Sequence, residues 1–194
     1  MQTKMAAITI SRQMGSLGEE VAFVLSGKLS YQIINREIIN QAALRARKPE
    51  IALASIDDLG LIGLRLDAKS RQIYHRAVSE IMIEIANRGN AIIIGRAGQI
   101  ILKDHPLCFH VMVIAPAKLR AERIANVQKI SIDNGMAQIK ASDQSRRRYL
   151  RRYYGIAWDD PTLYDMILNT ARLSPDQAAC TIIQAFEQGK WGSI

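Results

Sequence analysis

Apolar and polar positions along the chain follow two rhythms. Apolar runs at Met5–Ile10, Ala91–Ile94 and Leu107–Ile114, the first broken by Thr9 and the last by His110, read as strands, and the continuous run Ala91–Ile94 is what burial on both faces predicts. Between them apolar residues recur at three and four. Val21, Val24, Leu25 and Leu29 share one helical face after the first run. Tyr31–Ile34 is a short β-like run. Asn35 caps a helix from Arg36 to about Arg47, with Ile38, Ile39, Ala42 and Ala43 inward and Pro49 at its end. Residues 50–66 are weakly patterned. Asp67 opens a long helix to about Asn87, and a short one follows Gly95-Arg96-Ala97-Gly98 as far as Lys103. Pro116 sits in the first turn of a helix through Gln128, and residues 131–154 are helical again. Asp165–Asn169 is a last short strand. Ser174-Pro175-Asp176 is an N-cap with proline at the first helical position, opening a helix to about Gln188. Strands alternating with helices predict an α/β fold of three layers around a mainly parallel sheet. Ligands meet such sheets at the carboxyl ends of the strands. The loops at Gly15–Gly18 and Gly95-Arg96, and the end of the Asp165–Asn169 strand, then share one rim.

The junction after the first strand carries the first chemistry. Strand, glycine loop and helix make a phosphate cradle, because glycines let backbone N–H groups turn inward and the helix N-terminus adds partial positive charge. The full motif G-x-x-x-x-G-K-[ST] is absent. With Gly18 as its second glycine, Gln13 takes the place of the first, Glu19 that of the lysine and Glu20 that of the Ser/Thr. An ordinary βα turn fits the same residues, with Ser16 capping and Glu19 closing a capping box.

Two further stretches are rich in guanidinium. Gly95-Arg96 follows a buried strand, where an arginine can hold a phosphate through two hydrogen bonds, or stand solvated. Residues 146–152 hold five arginines in seven positions, Arg146, Arg147, Arg148, Arg151 and Arg152. They repel one another unless an anion or carboxylates lie among them. On a helix Asp143, Arg146 and Arg147 share one face, and Tyr149 and Tyr153 another. Phosphoryl transfer uses such a cluster to neutralise the transferring group. Nucleic-acid binding, with the tyrosines stacking on bases, and a plain solvated helix offset by Asp159 and Asp160 are the rivals. Arg36 and Glu37 are placed to meet a second nucleotide, and Asp165 and Asn169 a sugar or base edge; capping and turn closure explain them too.

Composition narrows the partners. The chain has 194 residues, 48% hydrophobic and 23% charged, with net charge +8. One domain over 1–194 follows, and anionic ligands are favoured. No apolar run is long enough to span a membrane, and no signal peptide is expected. Cys108 and Cys180 lie in apolar runs and read as small buried hydrophobes of a reducing, cytoplasmic compartment. The histidines are scattered, so no metal-ligand spacing arises.

With these residues assembled, the chain resembles the cytidylate kinase-like family, a branch of the P-loop nucleoside monophosphate kinases. The resemblance rests on Ile8-Thr9-Ile10-Ser11-Arg12-Gln13 with Gly15-Ser16-x-Gly18-Glu19-Glu20-Val21-Ala22, on Ile94-Gly95-Arg96-Ala97-Gly98, on Asp143-x-x-Arg146-x-x-Tyr149, and on Tyr164-Asp165-x-x-x-Asn169-Thr170, in the family's order. It implies a P-loop NTPase-like fold with a helical acceptor-side insert (about 35–88) and an arginine-rich lid (about 131–160). It implies ATP with Mg²⁺ as donor and a nucleotide substrate such as CMP or dCMP; nucleic acid is a disfavoured partner, no membrane contact is expected, and a homodimer stays open. Gly15, Ser16, Leu17 and Gly18, with Glu19 and Glu20, would meet the ATP phosphates. Arg96 would meet the acceptor phosphate and Asp143, as the lid aspartate, its sugar; Arg36 and Asp165 complete the substrate-side residues, Arg36 toward the acceptor nucleotide and Asp165 toward a sugar or base edge. Arg146, Arg147 and Arg12 would act on the transferring group. Glu19 replaces the loop lysine of true cytidylate kinases, Ile139 a second lid arginine, and Ala97 the aspartate after Gly-Arg. Compensation for the lysine would come from Arg12 first, then Lys28 or Lys140. A pseudokinase that binds nucleotide or anion without turnover, or a basic nucleic-acid-binding module, are the alternatives.

Overall fold

The computed structural model describes residues 6–35, 37 and 68–189. The expected helix from Arg36, the weakly patterned residues 50–66 and the contact expected of Arg36 lie outside the described residues. The strands are β1 (Ala7–Arg12), β2 (Gln32–Ile34), β3 (Ala91–Ile94), β4 (Cys108–Ile114) and β5 (Met166–Asn169). They form one sheet in the order β2-β3-β1-β4-β5, every pair parallel. The helices are α1 (Gly18–Leu29), α2 (Ala68–Arg88), α3 (Gly98–Ile101), α4 (Ala117–Gln128), α5 (Ile132–Tyr154) and α6 (Pro175–Gln188).

Side chains alternate across the sheet, and both faces are covered. Ile8 and Ile10, Ile92 and Ile94, and Phe109, Val111 and Val113 pack with Val21, Leu25, Ala178, Ile182 and Phe186 of α1 and α6. Ala7, Ala91, Ile93 and Cys108 pack with Ala77, Val78, Met82 and Ala86 of α2 on the other face. This explains why the strand runs are apolar at nearly every position. Each fully buried isoleucine contributes roughly 1.5–3 kcal/mol.

The elements match the periodicity, with informative shifts. β1 runs two residues further than its apolar stretch, because Ser11 and Arg12 keep the parallel register against Met112 and Val113 of β4. Arg12 is thereby fixed at a strand end. α6 starts with the capping predicted for it: Ser174 Oγ accepts from the Gln177 N–H at 3.2 Å, and Gln177 Oε1 accepts from the Ser174 N–H at 2.9 Å. One expectation is corrected. Cys108 is buried, which pushes its thiol up to about 12, whereas Cys180 is exposed. The inward face of α6 carries Ala178, Ala179, Ile182 and Phe186, and position 180 falls outside that stripe. Among the described residues no helix is long and apolar enough to cross a membrane.

Candidate active site

The loop between β1 and α1 is tied down one carbonyl at a time. The Gln13 N–H donates to Val113 O at 3.1 Å, and Gln13 Oε1 accepts from the Ala115 N–H at 3.1 Å. The Met14 carbonyl accepts from Arg120 Nη1 at 3.2 Å, that of Gly15 from Arg123 Nη1 at 3.2 Å, and that of Ser16 from Thr170 Oγ1 at 2.7 Å. In a trans peptide the N–H points opposite its C=O. The N–H groups of Gly15 and Leu17 are therefore turned away from these three partners, while that of Ser16 closes a turn on Gln13 O. Gly15 (φ 77°) and Leu17 (φ 64°) are left-handed, the curl that gathers amides into an anion nest. α1 starts at Gly18, and its first intrahelical bond runs from the Val21 N–H to Leu17 O at 2.9 Å, so the amides of its first turn remain for an anion.

The capped-turn alternative fails here. Leu17 is the N-cap and no side chain caps the helix. Ser16 is fully buried, and its hydroxyl donates back to Gln13 O at 2.8 Å.

Glu19 points instead to Arg12, whose Nη2 donates to Glu19 Oε1 at 2.8 Å. The Arg12 side chain lies between two glycines. A Cβ on Gly18 would stand 2.5 Å from Arg12 Cβ, and one on Gly95 would stand 2.7 Å from Arg12 Nη1. The guanidinium is thus carried across the mouth of β1 toward the junction after β3. That junction holds three successive left-handed residues, Gly95 (φ 75°), Arg96 (55°) and Ala97 (54°). Outside glycine such backbone is strained by about 1–2 kcal/mol per residue. Bonds from the Gly95 N–H to Ile10 O and from the Gly98 N–H to Gly95 O, each 3.0 Å, hold it.

Between these junctions and α5 lies a cavity of about 490 Å³. Arg12, Arg96 and Arg146 line it, with Glu19 and Glu37 as its carboxylates. Ile33, Ile94, Leu150, Phe23, Tyr149 and Trp158 give it apolar and aromatic walls, and Asn35, Gln99, Ser11 and Ser145 add polar groups. Arg146 donates to Ser142 Oγ and stands over the Trp158 ring at 5.8 Å. Burial, and then the like charge of Arg12, push its guanidinium down to about 10, while Asp143 and Glu19 pull the other way. It stays charged at neutral pH. Three guanidinium groups against two carboxylates, one of them already paired with Arg12, leave net positive charge for an anion.

The expected residues divide. Gly15–Gly18, Arg12, Glu19, Arg96 and Arg146 come together on the rim, and Thr170, just past β5, joins them through Ser16. Glu20 is exposed in the first turn of α1, near Arg123. Arg147 faces outward on α5 and lies 3.6 Å from Asp159, outside the cavity lining. Asp165 precedes β5 at the end opposite the rim, where its carboxylate accepts the His110 backbone N–H at 2.7 Å; the expected substrate contact is geometrically out of reach of the cavity. Asp143 is buried against Arg120 and does not line the cavity. Lys28 pairs with Asp176 at 3.0 Å at the far end of α1, and Lys140 is exposed on α5, so neither replaces the loop lysine. Tyr149 and Tyr153 pack tilted against each other (4.9 Å between centroids, 54° between planes), and Tyr153 packs on His75 at 4.6 Å and 48°, so the two rings are drawn into an aromatic cluster with His75.

Sequence reasoning missed Arg120, Arg123 and Trp158. The arginines carried a signal: they stand three apart in α4 beside Ala121 and Ala125, on a face that ought to be buried. Trp158 sat in an apparent loop, yet it is 2% exposed, and its Nε1–H donates to Ser11 Oγ at 2.9 Å.

The model of the cytidylate kinase-like family matches residues 7–172. The chain is 30% identical to the cytidylate kinase of Sulfolobus acidocaldarius over 177 residues, 91% of each chain. It is 37% identical to that of Pyrococcus horikoshii over 102 residues, an alignment spanning about half of each, 52%. Among solved structures, an uncharacterized protein from Eubacterium ventriosum superposes with a TM-score of 0.75 at 19% identity, over 95% of this chain and 99% of that one. Shikimate kinase from Bacteroides thetaiotaomicron superposes with a TM-score of 0.54 at 15% identity, over 94% and 99%. At such identities these structures show the α/β fold alone.

Proposed function

Because this chain belongs to the cytidylate kinase-like family, we propose that it moves the γ-phosphoryl group of ATP to a nucleoside monophosphate, CMP or dCMP. What carries the reading is the meeting of Arg12, Arg96 and Arg146 on one cavity beside a loop whose carbonyls are tied to its back. The donor's phosphates lie on the amides of Gly15–Glu20. The acceptor fills the cavity, its phosphate on Arg96. Arg12 stands between the two, where the absent lysine would be, and Arg146 closes from the lid. Both neutralise charge that grows on the transferring group, the chief way in which such enzymes lower the barrier. Asn35 and Glu37 form the acceptor end.

Magnesium fits this chain with few protein ligands. Among the described residues no three His, Cys, Asp or Glu side chains cluster, and Glu20 is an exposed carboxylate where the motif has a hydroxyl. Mg²⁺ ordinarily keeps several waters and takes one or two carboxylates plus substrate phosphates. When bound it neutralises charge on the donor's terminal phosphates.

The Arg12–Glu19 ion pair favours a second reading, a pseudokinase in which the carboxylate occupies the guanidinium permanently. A coupled ADP-release assay over a panel of nucleotides, with calorimetry alongside, separates the two. Turnover with a pyrimidine monophosphate supports the kinase. ATP binding without turnover for any acceptor supports the pseudokinase, and the absence of nucleotide binding by folded protein overturns both.

A further inference from the structure

The resemblance makes Asp143 a sugar contact, but the geometry points elsewhere. We propose that Asp143 is a positioning residue that, through Arg120, locks the rotation of α5 to the phosphate loop and so aims Arg146 into the cavity. This rests on the phosphotransfer reading for the role of Arg146.

The observation is one buried guanidinium with partners on three segments. Arg120 is 4% exposed and Asp143 7%. Arg120 Nε donates to Ala115 O at 3.0 Å, in the turn between β4 and α4. Nη1 donates to Met14 O in the phosphate loop and to Asp143 Oδ1, each at 3.2 Å, and Nη2 donates to Asp143 Oδ2 at 2.9 Å. A guanidinium is rigid and planar, so these three segments are fixed in one plane. Both Asp143 oxygens are engaged by Arg120, and the carboxylate is buried outside the cavity lining. Asp143 and Arg146 are three residues apart, hence neighbours on one face of α5. A rotation of α5 that parted Asp143 from Arg120 would carry Arg146 off Trp158 and away from Arg12. The helices already meet closely at Gly135, where a Cβ would stand 2.6 Å from Ala121 O. Gly135 is therefore the pivot and Asp143 the stop.

Asp143→Asn keeps the shape and discards the charge. The chain has two tryptophans, so Trp191→Phe leaves Trp158 as the sole reporter beneath Arg146. In that background Asp143→Asn is expected to shift Trp158 emission to the red. It should lower kcat by about tenfold or more with nucleotide KM changed less than about threefold. Adding Arg146→Lys to Asp143→Asn should cost far less than making Arg146→Lys with Asp143 in place. Arg120→Met with Asp143→Leu removes both buried charges together, a replacement that folds tolerate, and should show the same loss of Arg146 dependence. A rise in acceptor KM with kcat intact restores the sugar contact and overturns the proposal. So does strict additivity, or an unmoved Trp158 emission. The emission reads the lock even in a protein without turnover, so failure of the phosphotransfer reading is seen separately.

Discussion

Two strand-to-helix junctions stand side by side on the rim, and they present positive charge in different ways. The junction after β1 works with its backbone. Arg120, Arg123 and Thr170 hold the carbonyls of Met14, Gly15 and Ser16 from behind, which leaves amides for an anion. The junction after β3 works with a side chain. Left-handed backbone at Gly95, Arg96 and Ala97 turns the chain sharply, and Arg96 comes out lining the cavity. The first is held by hydrogen bonds from two other segments, α4 and the end of β5, and is strained only at Leu17; the second is strained at both Arg96 and Ala97. Backbone recognition tolerates any side chain that leaves the curl intact, so a lost lysine can be answered from outside the loop. Arg12 is placed to do so, as its guanidinium lies over both junctions.

The largest effect should follow from removing that link. Arg12→Ala should lower kcat by roughly 10²–10³, as for one donor lost to a developing charge, while Leu17→Gly, which keeps the amides, should change kcat little. Single-turnover rates with ATP and CMP check the contrast; equal losses for both would mean that the junctions do not divide the work as described. Next comes the frame of each junction. Gly15→Ala places a Cβ 2.8 Å from the Arg120 carbonyl at φ 77°, and main chain cannot step aside. A loss of about 2–4 kcal/mol in denaturant unfolding is expected. Gly95→Ala meets only the end of Arg12, at 2.7 Å. It should cost about 1 kcal/mol of stability and show mainly as lost turnover.

The two junctions were not equally legible in the sequence. The first was marked by glycines between an apolar run and an amphipathic helix, and Arg12 was visible beside it. Its restraints were not, because Arg120, Arg123 and Thr170 come from α4 and the end of β5, and no local pattern says which carbonyl a distant guanidinium will reach. The sheet was readable because burial on both faces leaves strand runs that are apolar at nearly every position. The strain at Arg96 and Ala97 was hidden, since neither residue type favours left-handed backbone. Helical spacing put Asp143 on the same face as Arg146, but its partner lies on another helix, beyond the reach of any local pattern.

A smaller effect separates strain from charge. Arg96→Gly removes the guanidinium and relieves its left-handed backbone (φ 55°). Relief of about 1 kcal/mol is partly offset by the freer unfolded chain, so stability should hold or rise slightly. The acceptor should bind about 10–100-fold more weakly, the worth of a charged hydrogen bond. Thermal unfolding and KM measured on the same preparation decide it; a destabilised variant would mean that Arg96 supports the turn instead of being strained by it.

The last and smallest effect distinguishes what lies beneath the junctions. His110 of β4 is buried, its Nδ1 2.7 Å from Thr9 Oγ1 of β1 and its Nε2 3.3 Å from Leu102 O, just after α3. It therefore supports the β3 side, through Thr9, which Gly98 would meet if it carried a Cβ. Burial lowers its pKa below 6.5, outweighing the opposing pull of Asp165. The unfolded chain then binds the proton more readily, so acid favours unfolding. Stability should rise with pH from the folded-state pKa up to about 6.5 and level off above, with a slope of at most ~1.4 kcal/mol per pH unit for one proton. His110→Gln, which keeps the hydrogen-bonding capacity without the titration, should flatten that slope. Amide-exchange protection factors, which remove the intrinsic pH dependence of exchange, should fall on α3 and Leu102 as pH falls, while the bonded amides of Gln13 and Ser16, in the loop restrained from α4 and Thr170, should keep theirs. Equal loosening of both junctions would show that they share one support.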